Sequence, residues 1–223
     1  MIQIKNLNKI YLKGKKNMVH ALNNINLKID DRETVAIIGE SGAGKSTLLH
    51  IMSCIDNFDG EYYLDNIDIN KLSESKKSKL RSSKIGIVLQ DFALIDDFTV
   101  FENVMTPLYF NKKIKDKKGS VMRALKKTGI VSLKAKKVSQ LSGGQKQRVA
   151  ISRALVTSPE YIFADEPTGS LDSKTSEEIV KMLFDLNRNG ITIVIVTHNL
   201  EIANQCHHII EIKDGNIIKD ICS

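Results

Sequence analysis

The sequence predicts an α/β fold with a parallel sheet core, an N-terminal antiparallel β subdomain and an inserted α-helical subdomain. Four short apolar runs do not alternate in polarity, which is typical of parallel strands covered on both faces. They span residues 35–38, 85–89, 161–164 and 191–196. The N-terminal thirty residues or so, and residues 62–69, do alternate, as half-exposed antiparallel strands do.

The division of the chain follows from the region where the succession of strand-like segments is interrupted. Residues 91–158 are helical in pattern, and a chain of 223 residues suits one large domain with an inserted lobe. We therefore interpret residues 1–223 as one domain. Its core and β subdomain span 1–90 and 159–223, and the helical subdomain spans 91–158.

Three helices flank the predicted strands. One is expected over residues 44–55, after a glycine-rich loop, and a second over 143–156, stopped soon after by Pro159. The third, over 176–187, is amphipathic and ends at Asn189-Gly190. Helices that alternate with buried strands are what an α/β fold requires.

Composition excludes several classes of protein. The hydrophobic fraction of 42% is too high for a disordered chain. No run approaches the roughly 18 apolar residues of a membrane helix, and the chain opens on an alternating strand-like pattern rather than a signal peptide. The three scattered cysteines, Cys54, Cys206 and Cys222, show no metal-ligand spacing and imply no disulfide framework. The five histidines make no metal pattern either, and a reducing cytoplasm is expected.

Basic residues exceed acidic ones by 33 to 26, for a net charge of +7. Such a charge allows nucleic acid, anionic lipid or a phosphate ligand as a partner. The excess is concentrated within residues 76–84 and 112–137. We interpret both groups as solvated helix faces, with contact to an anionic membrane surface as the alternative.

Each of the four buried runs stops at polar or glycine residues. The first is followed by a glycine-rich loop at Gly39, the others by Gln90, by Asp165-Glu166 and, after Thr197, by His198. In open parallel sheets, ligands bind at the carboxyl ends of the strands. We therefore expect these four ends to converge on one site.

The segment 39–46, Gly-Glu-Ser-Gly-Ala-Gly-Lys-Ser, matches the phosphate-loop pattern and lies between a strand and a helix, as that pattern requires. Backbone amides and the helix N-terminus would bind phosphate, Lys45 would reach the β- and γ-phosphates, and Ser46 would bind Mg²⁺. The phosphate-binding candidates are Gly39, Ser41, Gly42, Ala43, Gly44, Lys45, Ser46 and Thr47.

Two carboxylates follow the strand at 161–164. Asp165 ends a buried strand, where a charge is unfavourable unless it meets a cation, so it is a candidate Mg²⁺ partner. Glu166 is the candidate general base that would polarise the attacking water.

The segment Leu141-Ser142-Gly143-Gly144-Gln145 predicts a second helix N-terminus able to bind an anion. One chain would then have two phosphate-binding elements but a single phosphate loop. A symmetric dimer resolves this, because the second element of each subunit would bind the nucleotide of the other.

In these motifs and in their order, essentially the whole chain resembles the nucleotide-binding subunits of ATP-binding cassette (ABC) transporters, which have a P-loop (RecA-like) core. The resemblance assigns residues 39–47 to Walker A and 161–166 to Walker B, and makes residues 141–145 the signature segment. It implies that Gln90 contacts Mg²⁺ and the water, that Asp172 belongs to the D-loop and that His198 contacts the γ-phosphate. Tyr11 would stack on adenine. Several strings are similar to the LolD, MacB and FtsE branch of lipoprotein-release, macrolide-export and cell-division ATPases.

The resemblance implies an ATPase with ATP and Mg²⁺ as cofactors, acting as a homodimer on a separate integral membrane permease at the cytoplasmic face of the membrane. The implied cargo is a peptide, an antibiotic or a lipoprotein. The alternative is a cell-division regulator that uses the same ATPase without transport. No nucleic acid partner is expected, because the chain lacks the second cassette or long coiled coil that such relatives carry.

Four of the seven phenylalanines fall shortly after Gln90, at Phe92, Phe98, Phe101 and Phe110. Two interpretations remain open at this point. The stretch forms either a groove for a helix of the permease or the core of the helical subdomain itself.

Overall fold

The computed structural model describes residues 1–111 and 113–222, so Lys112, the first member of the second basic group, lies outside it. The strands are β1 (Ile2–Tyr11), β2 (Val19–Ile29), β3 (Thr34–Ile38), β4 (Asp59–Leu64), β5 (Ile67–Asp68), β6 (Ile85–Val88), β7 (Tyr161–Asp165), β8 (Thr192–Val196), β9 (His208–Lys213) and β10 (Asn216–Cys222). The helices are α1 (Lys45–Met52), α2 (Glu74–Lys84), α3 (Val100–Phe110), α4 (Lys117–Lys127), α5 (Gly143–Leu155), α6 (Ser173–Arg188) and α7 (Leu200–Ala203).

The central sheet has the strand order β10-β9-β3-β8-β7-β6. Its strands run parallel from β9 to β6, and β10 is added antiparallel at the edge. The four apolar runs are thus β3, β6, β7 and β8, and the predicted parallel core is confirmed. The second sheet is antiparallel, with the order β2-β1-β4-β5, and is the expected N-terminal β subdomain.

Both faces of the central sheet are buried, as the lack of alternation in its strands indicated. Along β7, Tyr161 and Phe163 lie in one hydrophobic core with the antiparallel sheet and α1. Ile162 and Ala164 lie in the other core, with α3, α4, α5 and α6. Successive residues of a strand point to opposite faces, so a strand with apolar residues at every position belongs between two cores.

Two helix ends differ from the sequence prediction by three residues, and the other ends of the three predicted helices differ by at most one. Helix α1 stops at Met52 rather than 55, because Cys54 adopts a left-handed conformation with φ of 58°. Helix α6 begins at Ser173, three residues early, because Asp172 caps it by accepting a hydrogen bond from the backbone N–H of Thr175. A side-chain cap satisfies an amide that the first turn leaves free.

Residues 91–158 contain α3, α4 and α5, and their apolar side chains share a core with the faces of β7 and β8. The division of the chain at 90 and 158 therefore stays a prediction. The aromatic stretch after Gln90 is split: Phe92 and Phe101 pack against that core, whereas Phe98 and Phe110 are exposed. In the described part of the chain, every helix falls short of the length and apolar character needed to cross a bilayer.

Candidate functional site

The carboxyl ends of β3, β6, β7 and β8 converge on one cleft of about 720 Å³. Gly39, Gln90, Glu166 and His198, one from the end of each strand, all line it. The sheet brings them together because neighbouring parallel strands end at the same edge. Tyr11, Ser41, Gly42, Gly44, Lys45, Ser46 and Thr47 also line this cleft.

The phosphate loop (residues 39–47) depends on glycine at two points. Gly39 has φ of 145°, and a Cβ there would lie 2.1 Å from the carbonyl oxygen of Ile212. Gly44, which begins α1 with φ of 107°, would place a Cβ 2.5 Å from the carbonyl oxygen of Ala21. Any larger residue at either position would force the loop away from β9 or β2.

Lys45 is buried, and its ammonium group donates hydrogen bonds to two carbonyl oxygens of its own loop. Nζ lies 2.8 Å from the oxygen of Gly39 and 2.7 Å from that of Glu40. The loop therefore holds the cation inside its own turn, beside the N-terminus of α1. Both the lysine and the helix dipole place positive charge where a phosphate would bind.

Asp165, at the end of β7, fits the Mg²⁺ role that the sequence predicts for it. It is buried, and its Oδ1 has no hydrogen-bond partner in the described structure. A buried carboxylate oxygen without a partner is costly unless a cation completes it. Oxygen ligands are those that Mg²⁺ prefers, and Ser46, whose side chain carries a hydroxyl, lines the adjoining cleft. Asp165 itself does not line that cleft, and neither does the buried Ala43.

Glu166 and His198 both line the cleft, and their side chains are in contact. Nδ1 of His198 lies 2.9 Å from Oε2 of Glu166, an ion-pair distance, but the two groups are not aligned as a hydrogen bond. Glu166 has φ of 43° and its backbone N–H donates to Val196 on β8. This left-handed turn directs the chain out of β7, so that Glu166 reaches the cleft while Asp165 stays buried.

Gln90 is exposed and lies two residues beyond β6. A Cβ built on Gly169 would be 3.9 Å from its Nε2, so the amide is close to the loop that follows Glu166. The side chain of Gln90 therefore lies between the end of β6 and the general-base candidate.

Tyr11 ends β1 and lines the cleft with its ring. Its hydroxyl donates a 2.6 Å hydrogen bond to Asp56, and burial, with this bond, raises the pKa of Tyr11. The ammonium of Lys9 lies 4.7 Å from the ring centroid. The contacts with Asp56 and Lys9 fix the orientation of the ring.

The signature segment (residues 141–145) does not line this cleft. Ser142 caps α5 in a capping box with Gln145. Cβ atoms built on Gly143 and Gly144 would contact Leu171 and Thr175, so the start of α5 packs against the segment that leads into α6. The predicted helix cap is confirmed, while the roles of Ser142, Gly143, Gly144 and Gln145 toward nucleotide stay predictions.

Asp172 also lies apart from the phosphate loop, where it caps α6. Its carboxylate accepts hydrogen bonds from the backbone and hydroxyl of Thr175, which lower its pKa. Its predicted position in a dimer contact is not tested by a single chain.

Sequence reasoning missed one wall of the cleft, formed by residues of β2 and of the turn between β9 and β10. These are Val19, His20, Ala21, Asp214 and Gly215. The turn had a usable signal, since Asp-Gly between two alternating runs is typical of a hairpin. Both of its residues have positive φ, 47° and 75°, and the N–H of Gly215 donates to Ala43 in the phosphate loop.

A second, larger cleft of about 960 Å³ lies along α6 and α7 and shares Gly169 and His198 with the first. It contains none of residues 39–47. The phosphate loop therefore lies at the smaller cleft.

Comparison with known proteins gives a consistent result. The family model described as ABC transporter matches residues 22–169, more than half of the chain. The uncharacterized ABC transporter ATP-binding protein MJ0796 of Methanocaldococcus jannaschii is 44% identical over 99% of this chain and 96% of its own length. A dimeric structure of a post-hydrolysis state of that cassette, bound to ADP and Pi, superposes with a TM-score of 0.91 at 42% identity. It covers 100% of this chain and 98% of the solved one.

Another relative is the macrolide export ATP-binding/permease protein MacB of Mannheimia succiniciproducens, 44% identical over 99% of this chain. The chain spans about a third (34%) of that relative's length. The family match, the shared architecture and the phosphate cleft agree with one another. The chain belongs to the ABC transporter family and is an ATP-binding domain of that family.

Proposed function

We propose that this chain binds ATP with Mg²⁺ and hydrolyses it as one subunit of a homodimer that drives a separate membrane permease. The observation that carries the proposal is the convergence of four strand ends on one cleft, next to a buried carboxylate oxygen of Asp165 that has no hydrogen-bond partner among the described residues.

Binding of the triphosphate is assigned to the phosphate loop. The amides of residues 39–47 and the N-terminus of α1 would bind the phosphates. Lys45 would exchange its two carbonyl partners for β- and γ-phosphate oxygens. Ser46, Asp165 and Gln90 would hold Mg²⁺, which when bound offsets the negative charge of the phosphates. Tyr11 would stack on the adenine base.

Hydrolysis is assigned to the pair formed by Glu166 and His198. The carboxylate of Glu166 would accept a proton from the attacking water, and the imidazole of His198 would contact the γ-phosphate. The 2.9 Å separation of their side-chain atoms brings both groups within reach of one water molecule and one phosphate.

The dimer explains the position of the signature segment. Ser142 and Gly144 do not line the cleft of their own chain, and the segment begins an exposed helix N-terminus with the charge that suits a phosphate. In a symmetric dimer, it would close over the nucleotide of the partner, with Asp172 at the interface. The solved structures of MJ0796 that resemble this chain are described as dimeric.

A membrane permease is proposed because the MacB relative is described as a combined ATP-binding/permease protein. This chain spans about a third of that relative's length. The protein would then lie at the cytoplasmic face of the membrane, with a peptide, antibiotic or lipoprotein as cargo. No described observation favours nucleic acid as a partner.

The experiment is the Glu166→Gln variant. With ATP and Mg²⁺ it should bind nucleotide, form a dimer measurable by light scattering, and turn over at least 100-fold more slowly than the wild type, the lower range for loss of a general base. Glu177→Gln, an exposed carboxylate of α6, is the matched control and should retain turnover. Normal turnover by Glu166→Gln would refute the catalytic assignment.

The permease is tested with the same trapped variant. Tagged Glu166→Gln is recovered from detergent-solubilised membranes with ATP and Mg²⁺, and bound proteins are identified by mass spectrometry. We expect one multi-span membrane protein that is absent without ATP. Recovery of ribosomal proteins or nucleic acid instead would contradict the permease.

The cell-division alternative is separated by the phenotype of a deletion strain. Sensitivity to an antibiotic or peptide, with normal division, is expected for transport. A division defect without altered sensitivity would support the regulator.

A further inference from the structure

We propose that His208, Asp220 and Cys222 form a binding site for a thiophilic divalent metal ion of the Zn²⁺ class, on the β9–β10 hairpin. One ligand atom from each residue, a ring nitrogen, a carboxylate oxygen and the thiol sulfur, lies within 4.8 Å of the other two. The spacing of these residues along the chain gave no such signal, because the hairpin that joins them was not foreseen.

The register of the hairpin explains the cluster. Cys222 pairs directly with His208, and Asp220 is two residues before it on β10. Residues paired across antiparallel strands share a face of the sheet, as do residues two apart in a strand. All three side chains therefore emerge on one face, and Nε2 of His208 is 2.6 Å from Oδ1 of Asp220.

His208 has the environment of a metal ligand. Its side chain is 2% exposed, and Nδ1, the nitrogen that does not contact Asp220, has no hydrogen-bond partner in the part of the chain that the structure describes. Oε2 of Glu33 lies 3.7 Å from Nδ1, just beyond hydrogen-bond distance. Ligating histidines commonly present their second nitrogen to a carboxylate, which orients the ring and increases its basicity. A small approach of Glu33 would complete that arrangement.

The charge and donor set favour zinc over magnesium. Nitrogen and sulfur ligands suit Zn²⁺, whereas Mg²⁺ prefers oxygen alone. Ligands held about 2.0–2.3 Å from one ion at tetrahedral angles lie roughly 3.5 Å apart, so the exposed Cys222 needs little movement to close the site. The carboxylates of Asp220 and Glu33 lie 2.6 and 3.7 Å from the imidazole nitrogens of His208, so a cation here would offset their negative charge.

The position of the cluster gives the ion a mechanical role. β10 is the edge strand of the central sheet, and most of its residues are exposed. An ion bound to one residue of β9 and two of β10 would crosslink this edge to the sheet. An ion that binds the native state alone also raises the free energy of unfolding, by an amount that grows with the logarithm of ion concentration above its Kd.

The test is calorimetric titration of the full chain with ZnCl₂, with excess Mg²⁺ present to occupy the nucleotide cleft. We expect one Zn²⁺ per chain in the wild type. Affinity should fall at least tenfold in Cys222→Ser and Asp220→Asn, both changes at exposed residues, and about tenfold in Glu33→Gln. Glu211→Gln, a carboxylate of β9 outside the cluster, should bind as the wild type does.

Cobalt provides an independent readout. Co²⁺ should give a thiolate charge-transfer absorption in the wild type and in Glu211→Gln, but not in Cys222→Ser. Zn²⁺ should raise the Tm of the wild type and leave that of Cys222→Ser unchanged. The proposal would be overturned if the wild type did not bind Zn²⁺ stoichiometrically. It would also be overturned if Cys222→Ser and Asp220→Asn bound Zn²⁺ with the affinity of the wild type.

Discussion

At Asp165, the demands of stability and of ligand binding oppose each other. Its neighbours along β7 are fully buried apolar residues, and Oδ1 has no partner in the described structure. A side chain chosen for stability would be neutral there, because a buried polar atom without a hydrogen bond costs about 1–3 kcal/mol. The carboxylate is favourable when a cation reaches it.

The Asp165→Asn variant should separate these two effects. Without nucleotide, we expect the free energy of unfolding to rise by about 1–3 kcal/mol, because a buried carboxylate with one unpartnered oxygen is replaced by a neutral group. The stabilisation that ATP adds in the presence of Mg²⁺ should largely disappear. Urea unfolding with and without ATP and Mg²⁺ measures both, and Glu177→Gln controls for the loss of one negative charge. A variant that is less stable without nucleotide would contradict this account.

The start of α5 shows how a helix end is fixed by its neighbour. Ser142 caps the helix, and Gly144 is so close to α6 that a Cβ would lie 2.4 Å from Cγ2 of Thr175. Gly143 has more room, since the nearest side-chain atom to its Cβ would be 3.4 Å away, on Leu171. The two adjacent glycines are thus required to different degrees.

Gly144→Ala should lower the free energy of unfolding by about 1–3 kcal/mol, the usual effect of overpacking. Adding Thr175→Ser should restore most of the loss, because it removes Cγ2 but keeps the hydroxyl that donates to Asp172. Gly143→Ala is the matched control, with a change below about 1 kcal/mol. Urea unfolding of the three variants measures this, and failure of the double variant to recover would show that another contact is responsible.

Hydrogen bonds from Arg153 connect α5 to the segment after Gln90. Phe92 and Ala93 are both left-handed, with φ of 61° and 45°. The Arg153 guanidinium donates hydrogen bonds to the carbonyl oxygens of both, at 2.8 Å for Phe92. Residues other than glycine are strained in the left-handed conformation, so this arginine stabilises a turn that the local sequence disfavours.

Arg153→Met should release that turn while keeping most of the packing of the side-chain stem. We expect backbone amides of residues 90–97 to exchange with deuterium at least tenfold faster, because hydrogen bonds from a charged group contribute about 1.5–3 kcal/mol. Hydrogen exchange read by mass spectrometry measures it. Arg123→Met on α4, where the arginine is exposed, should leave these amides unchanged. Equal protection in Arg153→Met and the wild type would contradict the role.

The strands and helices differ in how well the sequence alone predicts them. Uninterrupted apolar runs identified β3, β6, β7 and β8 because burial on both faces leaves a local pattern. The end of α1 leaves no such local pattern in the sequence. Tertiary hydrogen bonds set it, from the Tyr62 hydroxyl to Met52 and from Arg81 to Cys54. The local signal for the hairpin of β9 and β10 is Asp214-Gly215, a dipeptide that favours a tight turn but does not show where the hairpin lies in the sheet.

At the scale of the whole molecule, the candidate site could be predicted where it lies at strand ends and not where it depends on distant loops. Gln90, Glu166 and His198 were found from the strands that they follow. Asp214 and Gly215 could not be assigned to the cleft without knowing that β9 pairs with β3. The signature segment is the opposite case. Its sequence predicts a phosphate contact that a single chain does not contain.

The two sheets of the molecule are joined at a polar cluster around Asp65. This residue follows β4 in the antiparallel sheet, and it accepts hydrogen bonds from Tyr161 of the central sheet and from Lys84, which lies 2.6 Å from Oδ2. Burial alone would raise the pKa of Asp65. The hydrogen bonds from Lys84, Tyr161 and the Met1 amino group outweigh it and hold the pKa well below its ordinary value.

The stability that this cluster contributes should therefore depend on pH in one direction. A carboxyl whose pKa is lower in the folded than in the unfolded chain stabilises the fold at neutral pH and loses that contribution as the pH falls. We expect Asp65→Asn to be less stable than the wild type by about 1–3 kcal/mol at pH 7. The difference should begin to shrink below about pH 5 and then fall by about 1.4 kcal/mol per pH unit below the ordinary pKa near 4.

Urea unfolding of both proteins between pH 7 and pH 3 measures that difference. Asp59→Asn is the matched control, because Asp59 lies on the same strand β4 but is exposed and 3.7 Å from Lys13, a surface pair that contributes little. Its difference from the wild type should stay near zero throughout. If the Asp65→Asn difference were constant from pH 7 to pH 3, the carboxylate charge would not be what joins the sheets, and packing of the β4–β5 turn against Tyr161 would have to explain the loss instead.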